Sequence, residues 1–254
     1  MQDPPGSNTP GSGEPGAPPH GAPLGPGPGG PGPGPGGYSG PGGPGGPSPI
    51  PPTPPTGGGK GMIGRARDIL TRPAAEWPVV DGEAATMVSL IVPYALILAA
   101  IPPLALLLGL LVFTGAAASF LFGIFLQMAI AFYVVNVAVV IVLGLAIDAL
   151  APTFGGTKNN VQALKLAVYS STPLWVGGII LLLVAAAPIL YWLWFLGGFG
   201  YGAYLLYLGL PRLMRVSGDK AQTFAAAAIG IWFVLLIIGR ALAGAMMGGP
   251  FSAF

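Results

Sequence analysis

Residues 84–147 read AATMVSLIVPYALILAAIPPLALLLGLLVFTGAAASFLFGIFLQMAIAFYVVNVAVVIVLGLAI, and none of these 64 positions is charged. A helix that crosses the hydrocarbon of a bilayer needs about 20 apolar residues, so this run holds more than one crossing. A second uncharged run extends from Leu166 to Pro211 and a third from Ala221 to Gly239. The runs are continuously apolar rather than alternating at every second residue, which favours helices over a closed β-barrel. Charged residues make up 7% of the 254-residue chain, 10 basic and 8 acidic, against roughly 25% in an ordinary soluble domain. Such a chain cannot cover a water-facing surface with charge, so a soluble globular enzyme is excluded. The expected fold class is an all-α membrane protein, a five-transmembrane-helix bundle with a disordered Gly/Pro-rich N-terminal tail.

The helix count follows from turns and loop charges. The third run gives one span over about 221–245. Pro188, after three alanines, splits the second run into spans of 169–187 and 189–210. The first run turns best at Thr114-Gly115-Ala116-Ala117-Ala118-Ser119, giving spans of 86–113 and 119–147, with Pro102-Pro103 kinking the earlier one. This count gathers Lys60, Arg65, Arg67, Arg72, Lys158, Lys165, Arg212, Arg215 and Lys220 on one side of the membrane. Lys and Arg favour the cytoplasmic side, so the N-terminus is expected inside and the C-terminus outside. A sixth span would place two basic loops outward.

The residues before the first span fall into two segments. Residues 1–59 contain 20 of the 30 prolines and 21 of the 43 glycines, too little apolar surface to offset the entropy of ordering, so this segment reads as a disordered cytoplasmic tail. Its glycines do not follow the collagen repeat. The P-x-x-P spacings at Pro49–Pro55 read chiefly as spacer, with a groove-binding ligand as the alternative. Met1-Gln2-Asp3 does not open a secretory signal. Residues 60–83 form an amphipathic segment in which Met62, Ile63, Ala66, Ile69 and Leu70 share one arc flanked by Arg65, Arg67 and Arg72. Such a helix either lies among headgroups with its arginines over anionic lipid or packs on the protein's own face. Pro73 is expected to end it, leaving Trp77 at the interface.

The strongest local candidate is the loop Asp148-Ala149-Leu150-Ala151-Pro152-Thr153-Phe154-Gly155-Gly156-Thr157-Lys158-Asn159-Asn160. A carboxylate ending an apolar helix is costly without a partner, Pro152 and Gly155-Gly156 demand a specific turn, and Asn160 can cap the next helix. Asp148, Pro152, Phe154, Gly155, Gly156, Lys158 and Lys165 are therefore the candidate interaction residues. One reading is a docking loop or polar vestibule; the other is a re-entry turn pinned by Asp148–Lys158 or Asp148–Lys165. Hydroxyls of Ser170, Ser171 and Thr172 precede Pro173 and can satisfy backbone groups it releases. Residues 198–203 match the dinucleotide pattern G-x-G-x-x-A but lie mid-span with no preceding strand. Gly198 and Gly202 instead give the G-x-x-x-G spacing of close helix packing.

Gln127 and Asn136 fall on opposite faces of their helix and suit interhelical hydrogen bonds. Arg240 either snorkels outward or pairs inside the bundle. With no cysteine, and His20 alone in the tail, a metal site, a cofactor and an enzymatic activity are not expected. Two functional classes remain. One is a protein that organises or scaffolds the membrane. The other is a small-solute transporter or channel subunit lined by Gln127, Tyr133, Asn136, Ser170 and Thr172.

Several motifs together resemble the bacterial branch of the Yip1 family. They are Pro73-Ala74-Ala75-Glu76-Trp77, Val92-Pro93-Tyr94, Ile147 through Gly156, Gln162 through Ser170 with Thr172-Pro173, and Tyr204 through Pro211 followed by Asp219-Lys220-Ala221. The resemblance spans residues 62–245 and implies five spans, a cytoplasmic N-terminus and residence in the bacterial inner membrane. It carries no catalytic residues onto this chain. The Rab GTPases that partner eukaryotic family members are not expected in a bacterium. The expected partners are the lipid bilayer and a second copy or another membrane protein, with no nucleic acid.

Overall fold

The computed structural model describes residues 60–246. The tail over 1–59, with its P-x-x-P spacings and His20, lies outside the described residues, as do 247–254. Within 60–246 the chain is helical, and five helices are long and apolar enough to cross a membrane: Met87–Phe113, Gly115–Phe154, Asn160–Leu183, Ile189–Leu213 and Asp219–Met246. In order, the elements are α1 (Met62–Thr71), α2 (Pro73–Gly82), α3 (Met87–Leu90), α4 (Leu96–Ala99), α5 (Ile101–Phe113), α6 (Ala118–Leu150), α7 (Asn160–Gly177), α8 (Ile189–Leu213) and α9 (Asp219–Met246). The segments α3, α4 and α5 make one interrupted span. A π segment over Ile91–Ala95 joins the first two, and Pro93 within it removes a backbone donor. Pro102 and Pro103 open α5, where a missing N–H is least harmful.

The third span departs most from the expected 169–187. It begins at Asn160 because the Asn159 side chain accepts from the Gln162 N–H at 3.1 Å, so Asn159, not Asn160, caps it. Pro173 does not end the helix. The hydroxyls ahead of it are not bonded to Tyr169, whose carbonyl the proline leaves without its usual donor; Ser171 instead donates to the Ala167 carbonyl at 2.8 Å. After Gly177 the chain tightens into a 3-10 segment, Gly178–Leu183. There a Cβ on Gly178 would come within 2.5 Å of the Pro102 ring, and one on Gly109 within 2.3 Å of the Leu182 carbonyl. Only glycine permits that approach of α5.

In its most apolar window α7 is 67% buried, against 22–33% for the other four spans. It is the central helix, enclosed by α5, α6 and α8, with α9 against α6 and α8. Buried Leu143, Ile147, Leu164, Leu166, Leu205 and Leu206 form the heart of the core. Phe120, Val112 and Trp192 are among the large side chains left on the outside, as expected of a surface solvated by lipid.

The amphipathic segment is one arm of a hairpin packed on the bundle. Pro73 ends α1 but also starts α2 at its first turn. Down the length of α2, Trp77 packs on Gly209 and Asp81 reaches Arg215, so α2 follows the second half of α8 in the same direction. The Tyr201 hydroxyl, midway along α8, donates to the Leu70 carbonyl at 2.7 Å. Trp77 is therefore 2% exposed rather than interfacial.

Candidate functional site

Polar side chains converge at the end of the bundle where α2, α7 and α8 meet. Arg65, on the inward edge of α1, is buried and pairs with both Glu76 of α2 and Glu83 just beyond it. Its guanidinium also stands 5.8 Å from the centre of the Tyr169 ring on α7. Burial opposes the Arg65 charge, but the hydrogen bond to Glu83 and the nearby carboxylates outweigh it, leaving its pKa above the ordinary value. Lys60 bridges Asp68 at 2.7 Å and Glu76 at 2.8 Å. These contacts place Arg65 inside the protein rather than over lipid headgroups; Arg67 and Arg72 remain exposed.

Lys165 of α7 is 2% exposed and donates to the carbonyls of Val80 at 2.8 Å and Glu83 at 2.6 Å. The last carbonyls of a helix have no partner within it, and a cation is favoured there. Lys165 thus closes the C-terminus of α2. One residue further into that turn, Asp81 receives Arg215 through two nitrogens at 3.0 and 3.1 Å and Arg212 at 3.5 Å. Gln162 donates to the Asp81 carbonyl and carboxylate at 3.0 and 3.1 Å. The end of α2 is fastened to α7 and the end of α8 by four side chains, Lys165, Gln162, Arg212 and Arg215.

The candidate loop is a turn held on its own backbone. Residues Ala151–Phe154 form a 3-10 turn that closes on Gly155 at φ 77°, ψ 17°, a left-handed conformation suited to glycine. The Gly156 N–H bonds the Ala151 carbonyl at 2.8 Å and Thr157 N–H bonds the Met214 carbonyl at 3.0 Å, stitching the loop to the end of α8. A Cβ on Gly156 would lie 2.6 Å from that same Met214 oxygen. Phe154 stacks on Phe224 of α9 with centroids 4.7 Å apart. Neither expected lysine reaches Asp148. With its amide nitrogen facing the carboxylate, Asn160 donates to Asp148 at 2.6 and 3.2 Å, while Lys165 turns to α2 and Lys158 is exposed with Pro152. An amide serves Asp148 better here because Asn160 follows the turn directly, whereas Lys165 lies more than one helical turn further on and on the α2 side.

Gly198 and Gly202 lie where α8 crosses α7. A Cβ on Gly202 would come within 2.5 Å of the Ser170 carbonyl and of the Trp232 ring, and one on Gly198 within 2.9 Å of Leu174. The five polar residues considered as a solute path are dispersed. Tyr133 donates to the Leu96 carbonyl at 3.1 Å, Asn136 to Phe132 of its own helix at 3.0 Å, and Gln127 to Met246 at 2.9 Å. The Thr172 hydroxyl pairs with that of Tyr94 at 2.9 Å, and the buried Ser170 hydroxyl has no partner among the described residues. Asn136 thus bonds within its helix, whereas Gln127 does reach a neighbouring one. Arg240 contacts Tyr191 at the far end of the bundle. Among the described residues no group of three His, Asp or Glu is placed to hold a metal ion.

The convergence on α2 involves Glu76, Asp81, Glu83, Gln162, Arg212 and Arg215, none of which the loop-centred reading singled out. Their signal was present. Three carboxylates within eight residues just before the first span lie on the side to which the loop-charge count assigns Arg212 and Arg215.

Four apolar helices around a central fifth, clasped at one end by ion pairs, define a polytopic α-helical membrane protein. The Yip1 domain matches residues 67–239, and the chain belongs to the Yip1 family. It is similar to the Escherichia coli protein described as inner membrane protein YohC, from two strains, at 27% identity over 197 residues in each case. Those alignments cover 73% of this chain and 97% of the relative. No solved structure matches.

Proposed function

We propose that this Yip1-family protein is a non-enzymatic organiser of a bacterial inner membrane, holding a membrane assembly through helix contacts rather than performing chemistry. The observation that supports this is the clasp on α1 and α2. Lys60, where the described chain begins, is fixed by Asp68 and Glu76, and the hairpin that follows is fastened to α7 and α8. Such a clasp makes a stiff base for whatever residues 1–59 engage. The clasped end faces the cytoplasm in this reading, since it carries nine of the ten basic residues. The inner-membrane assignment rests on the relative's description.

The partners proposed are a second copy or another integral membrane protein. Purification of the full chain in mild detergent, with cross-linking beforehand, is expected to recover a dimer or a defined partner. A strictly monomeric chain without partner would overturn the proposal, and so would solute flux through reconstituted liposomes. A reporter fused after Phe254 is expected to be active only on the outer side; activity in the cytoplasm would reverse the orientation.

A further inference from the structure

At the end opposite the clasp, α6, α8 and α9, with Leu106 of α5 and Leu174 of α7, line a cavity of about 360 Å³, within the roughly 300–1,000 Å³ usual for a ligand pocket. Its walls are apolar and aromatic, including Phe132, Val139, Leu174, Trp194, Phe195 and Phe233. Arg240 also lines it and is exposed. The guanidinium donates to the Tyr191 hydroxyl and stands 5.1 Å from the centre of that ring. Trp192, next to Tyr191 and 57% exposed, also lines the cavity. Aromatic rings with a basic group are the composition of a membrane interface.

Arg240 has a charge that the described chain does not answer. The six acidic residues within 60–246 are Asp68, Glu76, Asp81, Glu83, Asp148 and Asp219, and none forms an ion pair with it. Five of them are in or beside the clasp and its adjoining loop, and Asp219 lies 21 residues back along α9, about 32 Å of helix. A cation at membrane depth normally has a partner. The planar guanidinium fork fits a phosphate through two hydrogen bonds. The Tyr191 hydroxyl accepts from Arg240, so its own proton is available to the same phosphate. The apolar walls beside this anion site require the ligand to carry hydrocarbon as well.

We propose that the groove binds one anionic phospholipid, its phosphate on Arg240 and Tyr191 and an acyl chain along Phe132, Trp194, Phe195 and Phe233. The site requires only the folded bundle and does not depend on the protein acting as an organiser. It therefore stands or falls separately from the recovery of a partner.

The test is native mass spectrometry of the full chain released from nanodiscs of phosphatidylglycerol and phosphatidylcholine mixed equally. The wild type is expected to retain one phosphatidylglycerol preferentially. Arg240→Gln should lower that retention about tenfold or more, the effect of losing a charge-assisted hydrogen bond. Arg240→Lys should fall between the two, and Tyr191→Phe should weaken retention without abolishing it. Arg67→Gln, which removes an exposed arginine at the other end, should leave it unchanged. Ala243→Phe, which fills the groove without touching its charge, should also lose the lipid. Equal retention of both lipids, or unchanged retention in Arg240→Gln, would overturn the proposal. Displacement of the lipid by millimolar inorganic phosphate would overturn the hydrocarbon part, and a second copy seated in the groove, seen as a dimer lost in Ala243→Phe, would replace lipid as the occupant.

Discussion

The two ends of this bundle cohere by different means. At the clasped end, Arg65, Lys165, Arg212 and Arg215 bind carboxylates and carbonyls of the α1–α2 hairpin and its exit. At the opposite end the contacts are rings, with Trp194 edge-on to Phe132 and Tyr191 and donating to the Leu174 carbonyl at 2.8 Å. Helices in lipid gain no hydrophobic drive toward each other and depend on close packing and hydrogen bonds. The clasped end takes the second route and the far end mostly the first. The comparison implies that charge substitutions should damage one end severely and the other slightly.

The largest expected loss is at Arg65. Arg65→Met leaves Glu76, 4% exposed, with Lys60 alone, and Glu83 with no ion-pair partner among the described residues. Breaking a buried pair costs roughly 3–5 kcal/mol, and the partial exposure of Glu83 puts the loss near the lower bound. Thermal denaturation of the detergent-solubilised protein should show it, and an unchanged midpoint would remove the clasp from the account. Lys165→Met uncaps α2 and should cost about 2 kcal/mol, the range of a hydrogen bond from a charged donor. In that variant, protease cleavage between residues 60 and 83 should quicken while the spans stay protected.

Gly202→Val tests packing rather than charge. Its side chain would meet the Ser170 carbonyl and the Trp232 ring, and overpacking of this kind costs about 1–3 kcal/mol. If the midpoint holds, α8 and α7 are further apart than described. Arg240→Gln should change stability by less than about 0.5 kcal/mol, as at other exposed positions. A large loss there would erase the contrast between the ends.

The smallest effect belongs to Lys60 and Asp68. Lys60 donates to Asp68 and holds its carboxyl below the ordinary carboxylate value. Its contribution is present above that ordinary value and is lost as the pH falls through the lowered one. Melting curves of Asp68→Asn and the parent, already close at pH 7, should converge as the pH falls through that lowered value. A gap that widens in acid would reverse the sign.

Much of the architecture was legible because lipid permits few alternatives. Uncharged runs had to be helices, and four of the five expected spans differ from the observed ones mainly in their ends. The third differed because Asn159, rather than the end of polarity at Tyr169, starts α7, and because Gly178 lets the chain tighten against Pro102. Within the candidate loop, the turn at Gly155-Gly156 followed from residue type. The partner of Asp148 did not, since lysine and asparagine were both within reach along the chain.

Uncharged runs, turn residues and loop charges by themselves determined the number of spans, the place of four of them and the clustering of charge at one end, because each depends on solubility in lipid or water. The direction in which Arg65 points, the burial of Trp77 and the capping of α2 by Lys165 were decided by tertiary structure. An amphipathic helix has the same arc whether lipid or protein covers it. Which one does so depends on groups more than eighty residues away on α7 and α8, and no local pattern encodes that distance.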